Sequence, residues 1–383
     1  MHVVLIEPSA AGHRMAYARK ALRVLAGMGY DKVTCFTSEA QLRCPALDGL
    51  DQEPAFNASI RQISATTLEA LRRTNTLGTA AASFRRLRLY RRLLRGVAPP
   101  DLVLTMYADD LLPALALFPR ALGRFSGVFM RTRFHWKAMG IRGPVRSFDA
   151  VLKKLYVRLL RQSDVPMMTF DPILVQYMGR YYPDVARKLL FLPDPIYEGP
   201  LDSRFRRPSG PEKLQLVVVN PNPRKGMDVL EKAVASPRWV QSVALLLVGE
   251  EAPRYAERIL AANAHAEVHC IPSYVPDPTL AACISTSDLV WCIQNGQYAV
   301  SGVMVMAARY GKPVLVSAKG VAARLAIDGG FGYACITASE VLDALQRLNA
   351  DCALSAAMGK AARKFAKLWG QEEFARTLGV LVR

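Results

Sequence analysis

Strand-length apolar runs alternate with helix-length amphipathic segments from one end of this chain to the other, and few folds accommodate that alternation. A strand that is apolar throughout is buried on both faces, as happens where helices cover both sides of a mostly parallel sheet. In the first half the runs read as His2–Ile6, Lys32–Phe36, Leu102–Met106, Val128–Arg131, Pro166–Thr169 and Leu189–Leu192. In the second half they read as Gln215–Val219, Ala244–Val248, Val268–Ile271, Leu289–Ile293, Val314–Ser317 and Gly332–Cys335. The expected class is α/β, with two doubly wound, Rossmann-like halves. At 383 residues the chain exceeds one ordinary core, which agrees with two domains.

Between the halves lies PDPIYEGPLDSRFRRPSGPEK, residues 193–213, rich in proline, glycine and charge and without periodicity. The expected division is 1–195 for the first domain, 196–212 for a linker, 213–360 for the second domain and 361–383 for a C-terminal helix. Phe365, Leu368, Trp369, Phe374 and Leu378 give that terminal segment an apolar side, either for the second domain or for a return to the first.

Hydrophobic residues make up 51% of the chain, which excludes a disordered polar one. The formal net charge of +18 calls for an anionic partner: a membrane surface, nucleic acid or a phosphorylated substrate. The seven cysteines, Cys35, Cys44, Cys270, Cys283, Cys292, Cys335 and Cys352, contain no C-x-x-C pair and mostly lie in apolar runs. They read as reduced, buried thiols of a cytosolic protein. His265 and His269 are spaced as on a helix face, but Glu267–Ile271 reads as a strand, so no metal site is expected there. The opening HVVLIE reads as a first strand without a cationic leader, and no uncharged apolar run reaches the ~20 residues that a spanning helix requires. A cytoplasmic protein, soluble or peripheral at the membrane, is expected.

The stretch Ser287–Gly332 is SDLVWCIQNGQYAVSGVMVMAARYGKPVLVSAKGVAARLAIDGGFG. It runs from a buried strand through the small-residue turn Ser301-Gly302 into a helix, then through Gly311-Lys312-Pro313 into another buried strand. That order presents backbone N–H groups at a helix N-terminus, a natural anion site. The segment resembles the donor-binding part of GT-B glycosyltransferases of the group 1 (family four) type, which carry a Glu, seven residues, then Glu-Ala-x-Ala-x-Gly-x-Pro-Val. Ala307, Gly311, Pro313 and Val314 match; Arg309 replaces the second Ala, Met306 stands at the second Glu and Tyr298 at the first. The resemblance implies that the second of these positions holds the ribose hydroxyls and that the first lies near the sugar. A thioether accepts hydrogen bonds only weakly, so the ribose is expected to be held otherwise or more weakly.

The resemblance extends to the loop Asn220-Pro221-Asn222-Pro223-Arg224-Lys225-Gly226, where the family carries an Arg, four residues, then Lys-Gly. Lys225-Gly226 matches, Asn220 occupies the Arg position and Arg224 is its substitute. A diphosphate gains negative charge as its bond to the sugar breaks, and fixed cations with N–H donors, here those of Gly302 and Val303, stabilise that charge. The alternative for Lys225 is a solvated lysine at a helix start. Gly249 and Glu250 form the turn that the resemblance places beneath the nucleotide. Ser273 and Tyr274 lie in the loop it places at the base, where a tyrosine ring stacks well.

In the first half, Pro8-Ser9-Ala10-Ala11-Gly12-His13 follows the opening strand, and Gly12 allows a ligand close to the backbone. His13 reads as functional or as part of an ordinary tight turn. His135, in Arg131-Thr132-Arg133-Phe134-His135-Trp136, resembles a histidine near the reacting sugar in many group 1 enzymes; the alternative is a loop histidine packed under Trp136. Asp109 follows another strand, and with His13 it has the makings of a base and its orienting acid. For Asp109 and Asp110 the alternative is helix capping, with Asp110 as N-cap.

The segment SFRRLRLYRRLLRG sets Arg85, Arg86, Arg88, Arg91, Arg92 and Arg95 among Phe84, Leu87, Leu89, Tyr90, Leu93 and Leu94. Arg142, Arg146, Lys153, Lys154, Arg158 and Arg161 form a second basic cluster. They read as an interfacial face for an anionic membrane or as a solvated arginine-rich surface. Nucleic acid is disfavoured, because no helix-turn-helix, zinc-finger or RNP-like pattern accompanies the charge.

The expected function is that of a metal-independent, hexosyltransferase-like glycosyltransferase, moving sugar from a nucleoside-diphosphate-sugar to a glycan or lipid-linked acceptor, as in bacterial surface polysaccharide or glycolipid synthesis. No cofactor beyond the donor is expected. The competitors are a GT-B-like protein that binds glycan or nucleotide without turnover, and a nucleotide-sugar epimerase of the same fold.

Overall fold

The computed structural model describes residues 1–8, 14–28, 32–38, 58–73, 79–144, 146–296 and 299–381. Two compact units divide it. The first comprises Met1–Met139, Pro144–Pro195 and Glu372–Arg383, the second Gly140–Gly143 and Ile196–Gln371.

The first unit holds strands β1 (His2–Glu7), β2 (Lys32–Thr37), β3 (Ala58–Gln62), β4 (Leu102–Thr105), β5 (Phe125–Phe129), β6 (Met167–Thr169) and β7 (Leu189–Phe191). All pair in parallel, in the order β3-β2-β1-β4-β5-β6-β7. Its helices are α1 (Arg14–Gly27), α2 (Ala65–Arg73), α3 (Thr79–Leu94), α4 (Leu112–Leu117), α5 (Asp149–Gln162), α6 (Pro172–Tyr181) and α7 (Pro183–Ala186). Side chains alternate across a strand, so β1 feeds two cores. Val4 and Ile6 pack with Leu87 and Tyr90 of α3, Leu115 of α4 and Leu160 of α5, whereas Val3 and Leu5 pack with Leu22 and Leu25 of α1.

The second unit holds β8 (Leu214–Val219), α8 (Met227–Val234), β9 (Val243–Val248), α9 (Ala252–Ala262), β10 (Glu267–Ile271), α10 (Asp277–Thr286), β11 (Leu289–Cys292), α11 (Gly302–Arg309), β12 (Val314–Ser317), α12 (Gly320–Asp328), β13 (Gly332–Cys335), α13 (Ala338–Ala350) and α14 (Cys352–Ala366). Its six-stranded parallel sheet runs β10-β9-β8-β11-β12-β13. Leu216 and Val218 face α8, α9 and α13, while Val217 and Val219 face α10, α11, α12 and α14.

Several details differ from the expectations. β3 has one apolar interior residue, Ile60, and gives no apolar run; it forms because edge pairing to β2 needs only backbone. β5 begins at Phe125, because Gly127 is a sheet residue: a Cβ there would lie 2.7 Å from Ala108 Cβ. Residues 196–212 belong to the compact second unit. Arg207 there donates to Asp288 Oδ2 at 2.7 Å and to the Thr286 carbonyl at 3.0 Å, and Ser209 donates to Gln215 at 2.8 Å. At the C-terminus, α14 and 367–371 stay with the second unit. The final helix α15 (Gln371–Leu381) packs Phe374, Leu378 and Leu381 into the α1 core of the first, where Thr377 donates to the Phe191 carbonyl at 3.2 Å. Cys35, Cys283, Cys292 and Cys335 are buried, but Cys270 and Cys352 are exposed, the first because β10 is an edge strand. Cys44 lies outside the described residues. Among those residues no helix is long and apolar enough to cross a membrane.

Candidate functional site

The strand order of the second sheet reverses between β8 and β11, and the crevice beyond the carboxyl ends of such a pair is where open α/β sheets bind ligands. The loop after β8 enters it through a backbone conformation that few side chains accept. Asn220 has φ 51°, the one non-glycine positive φ among the described residues, and its N–H still donates to the Val248 carbonyl at 2.7 Å. Asn222 then closes the turn, donating to the Asn220 carbonyl at 2.7 Å and accepting from the Arg224 N–H at 3.0 Å. Gly249 is required beside it: its φ is 134°, and a Cβ there would lie 2.6 Å from Asn220 Oδ1.

The strand β11 holds this loop from the other side. Trp291 Nε1 donates to the Lys225 carbonyl at 2.5 Å, the Asn295 N–H donates to the Arg224 carbonyl at 2.7 Å, and Asn295 Nδ2 reaches Asp228 Oδ1 at 3.0 Å. Lys225 is thereby fixed at the crevice with its ammonium close to the buried thiol of Cys292. Burial lowers the lysine pKa, opposed by the Cys292 thiol; the same burial pushes Cys292 up to about 12, opposed by the lysine charge. No carboxylate among the described residues pairs with Lys225. A desolvated, unpaired cation is costly on its own and well placed for an anion.

A second anion-favouring feature stands at the N-terminus of α11. Ser301 is its buried N-cap, yet no side chain among the described residues bonds the first amides, those of Gly302 and Val303 included. Ser317 ties the neighbouring strand ends, accepting from the Gln294 N–H and donating to the Gln294 carbonyl, each at 2.7 Å. Met306 does not face this crevice as a ligand group would. It is 7% exposed and packs in the core with Val290, Val316 and Ala362, as a thioether does and a carboxylate would not. Arg224 and Glu250 are exposed at the rim, and Ser273 and Tyr274 are exposed beyond β10. Tyr298 lies outside the described residues.

Sequence reasoning passed over Asn222, Trp291, Gln294, Asn295 and Ser317, which shape the loops around Lys225. Asn222 and Asn295 were signalled by the Asn-Pro-Asn-Pro and Asn-Gly turns; the indole of Trp291 carries no signal separable from an ordinary core residue.

In the first unit, Gly12 and His13 lie outside the described residues. His135 is fully buried, 2.9 Å from Asp171 Oδ2 but out of line for a hydrogen bond, with rings of Phe134 and Tyr177 around it. Asp109 accepts from the Met130 and Arg131 N–H groups at 2.8 and 2.9 Å, fastening the turn after β5. Burial raises its pKa to about 6, opposed by those two amides and the Arg131 charge. Its lone pairs therefore serve the backbone. Asp110 is no N-cap; Ala108 holds that place, and Asp110 pairs with Arg86 at 3.3 Å.

Residues 202–365 match the family model described as glycosyl transferases group 1. No curated protein sequence matches the chain. Among solved structures, sucrose-phosphate synthase from Thermosynechococcus elongatus is similar with a TM-score of 0.67 at 19% identity, covering 100% of this chain and 98% of that one. WaaG, a glycosyltransferase involved in lipopolysaccharide biosynthesis, has a TM-score of 0.62 at 15% identity over 99% of each chain. HepE from Anabaena, solved in complex with UDP and glucose, has a TM-score of 0.60 at 14% identity over 99% of this chain and 98% of that one. Residues 202–365 are thus similar to the group 1 glycosyl transferases, in a chain whose two parallel α/β units have the GT-B fold.

Proposed function

We propose that the protein transfers a sugar from a nucleoside-diphosphate-sugar to a hydroxyl of a glycan or lipid-linked acceptor, in the synthesis of surface polysaccharide or glycolipid. The observation that carries this reading is Lys225: a half-buried, desolvated cation without a carboxylate partner among the described residues, set at the switch point of the second sheet. As the bond between the sugar and the diphosphate breaks, its electron pair stays on the diphosphate oxygen. The Lys225 ammonium and the open amides of α11 stabilise the charge that develops there. The acceptor oxygen forms the new bond at the same carbon and releases its proton. Because these groups stand ready before the reaction, stabilisation costs no reorganisation. The complex of HepE with UDP and glucose lends the donor class further support.

Met306 favours a competing reading, binding without turnover, since its core-facing thioether leaves the ribose without the family's carboxylate. A panel of UDP-, GDP- and dTDP-sugars, with binding followed by calorimetry and turnover by release of the nucleoside diphosphate, separates the two. Donor binding and release that both vanish in Lys225→Ala are expected; binding without release supports the competitor, and neither in the native protein defeats both.

A further inference from the structure

The outer side of the first unit carries a feature that the donor site does not use. Helices α3, α4 and α5 cover one face of the first sheet, and their inward residues form one core. Outward, α3 exposes Arg85, Arg88, Arg91 and Arg92, and α5 exposes Lys154 and Arg158. None of these six has a carboxylate partner among the described residues; nearby Arg86, Arg120 and Arg161 are taken by Asp110, Asp164 and Asp184.

Large apolar side chains stand among these cations. Leu117 and Phe118, at the end of α4, are 47% and 56% exposed, and Phe148 and Val151, at the start of α5, are 45% and 57% exposed. Phe118 meets Phe84 of α3 edge-on at 6.1 Å, over a groove of about 560 Å³ rimmed by Arg88, Arg91 and Arg120. Four large apolar groups left in water among unpaired cations are unfavourable for a surface that meets only solvent.

We propose that the α3–α4–α5 face docks on an anionic lipid surface, with Leu117 and Phe118 entering the headgroup layer and the arginines of α3 and the cations of α5 meeting lipid phosphates. Charge complementarity singles out this occupant. Two copies of the face would set like charges against each other, and a polyanion without an apolar phase would leave Leu117 and Val151 in water. Cations whose aliphatic stems flank exposed apolar residues suit the membrane interface, where both kinds of group find a partner. The inference is independent of the donor reading, because α3 lies in the first unit and binding to lipid requires no nucleotide-sugar.

The test uses the full chain and sedimentation with phosphatidylcholine vesicles, with and without phosphatidylglycerol. Binding to the anionic vesicles alone, weakened by salt, is expected. Each cation near such a surface contributes about fivefold in partitioning, so Arg88→Gln/Arg91→Gln/Arg92→Gln lowers it about a hundredfold. Arg347→Gln/Lys360→Gln/Lys364→Gln, which removes the same charge from exposed sites on the second unit, leaves it within a few-fold. Phe118→Trp provides a readout with every charge kept. The four native tryptophans are at most 5% exposed, so a blue shift on anionic vesicles reports the new one. Equal recovery with both lipids, equal loss in the two triple variants, no shift from Phe118→Trp, or displacement from vesicles by stoichiometric short RNA overturns the proposal.

Discussion

The indole of Trp291 donates its only hydrogen bond to the backbone carbonyl of Lys225, so a core residue of β11 sets the position of the cation in the loop after β8. Trp291→Phe keeps most of the buried ring and deletes the donor. A loss of about 1 kcal/mol in stability is expected from the unmade bond. Nucleoside-diphosphate affinity, read by calorimetry, falls more than stability does, because the carbonyl and the ammonium belong to one residue and move together. Equal affinity for the two proteins would show that the loop is held without the indole.

Lys225 itself is costly to the fold. Burial depresses its pKa below the usual 10.5, so the folded protein binds fewer protons at this site than the unfolded chain. Stability contributed here therefore rises as pH climbs from the depressed value toward 10.5. Lys225→Met removes the rise and keeps or raises the melting temperature near neutrality, while kcat/KM falls by about 10²–10³ with the loss of a group aimed at the leaving diphosphate. Denaturation against pH and turnover on the same samples check both halves. A large drop in stability would mark Lys225 as structural.

The place of Lys225 and every strand but β3 were legible because parallel strands buried on both faces leave apolar runs, and a Lys-Gly after the first such run of the second half has a fixed place in the sheet. What was not legible depended on side-chain direction. His135 follows a strand end in the sequence just as a ligand-contacting residue would, yet its ring turns under the surface toward Asp171. Met306 stands at the spacing of a ribose-binding carboxylate, and only packing shows that it fills the core between α11 and its sheet. The expected strand Val128–Arg131 left out Gly127, whose reason for being glycine, the approach of Ala108, lies on another segment.

Asp109 makes a pH-dependent contribution of the opposite sense. Burial raises its folded-state pKa from 3.8 to about 6, so the folded protein holds this proton more tightly than the unfolded chain. The contribution is full below pH 3.8, declines as pH rises to about 6, and is level beyond. Asp109→Asn keeps one acceptor for the Met130 and Arg131 amides and abolishes the decline. Urea midpoints measured across that window test this; the same slope in both proteins would assign it to another group.

Gly249 offers a sharper test of the crevice than any charged residue, because nothing in its side chain can take part in chemistry. Its φ of 134° belongs to a region that L-residues avoid, and a methyl group there would sit 2.6 Å from Asn220 Oδ1 and 3.1 Å from Asn220 Cα. Strain of this kind costs about 1–3 kcal/mol, and relief requires Asn220 to leave its own left-handed conformation. Since Asn220 begins the turn that ends at Lys225, Gly249→Ala is expected to weaken nucleotide binding and stability together. Asn220→Gly in the same chain removes the obstructing amide and lets residue 220 keep its positive φ without strain. The double variant removes the 2.6 Å contact but not the strain of a positive φ at residue 249, so it recovers part of the melting temperature. Recovery of binding along with it would show that the loop geometry is what the donor site requires; recovery of stability without binding would show that the Asn220 side chain contacts the ligand itself.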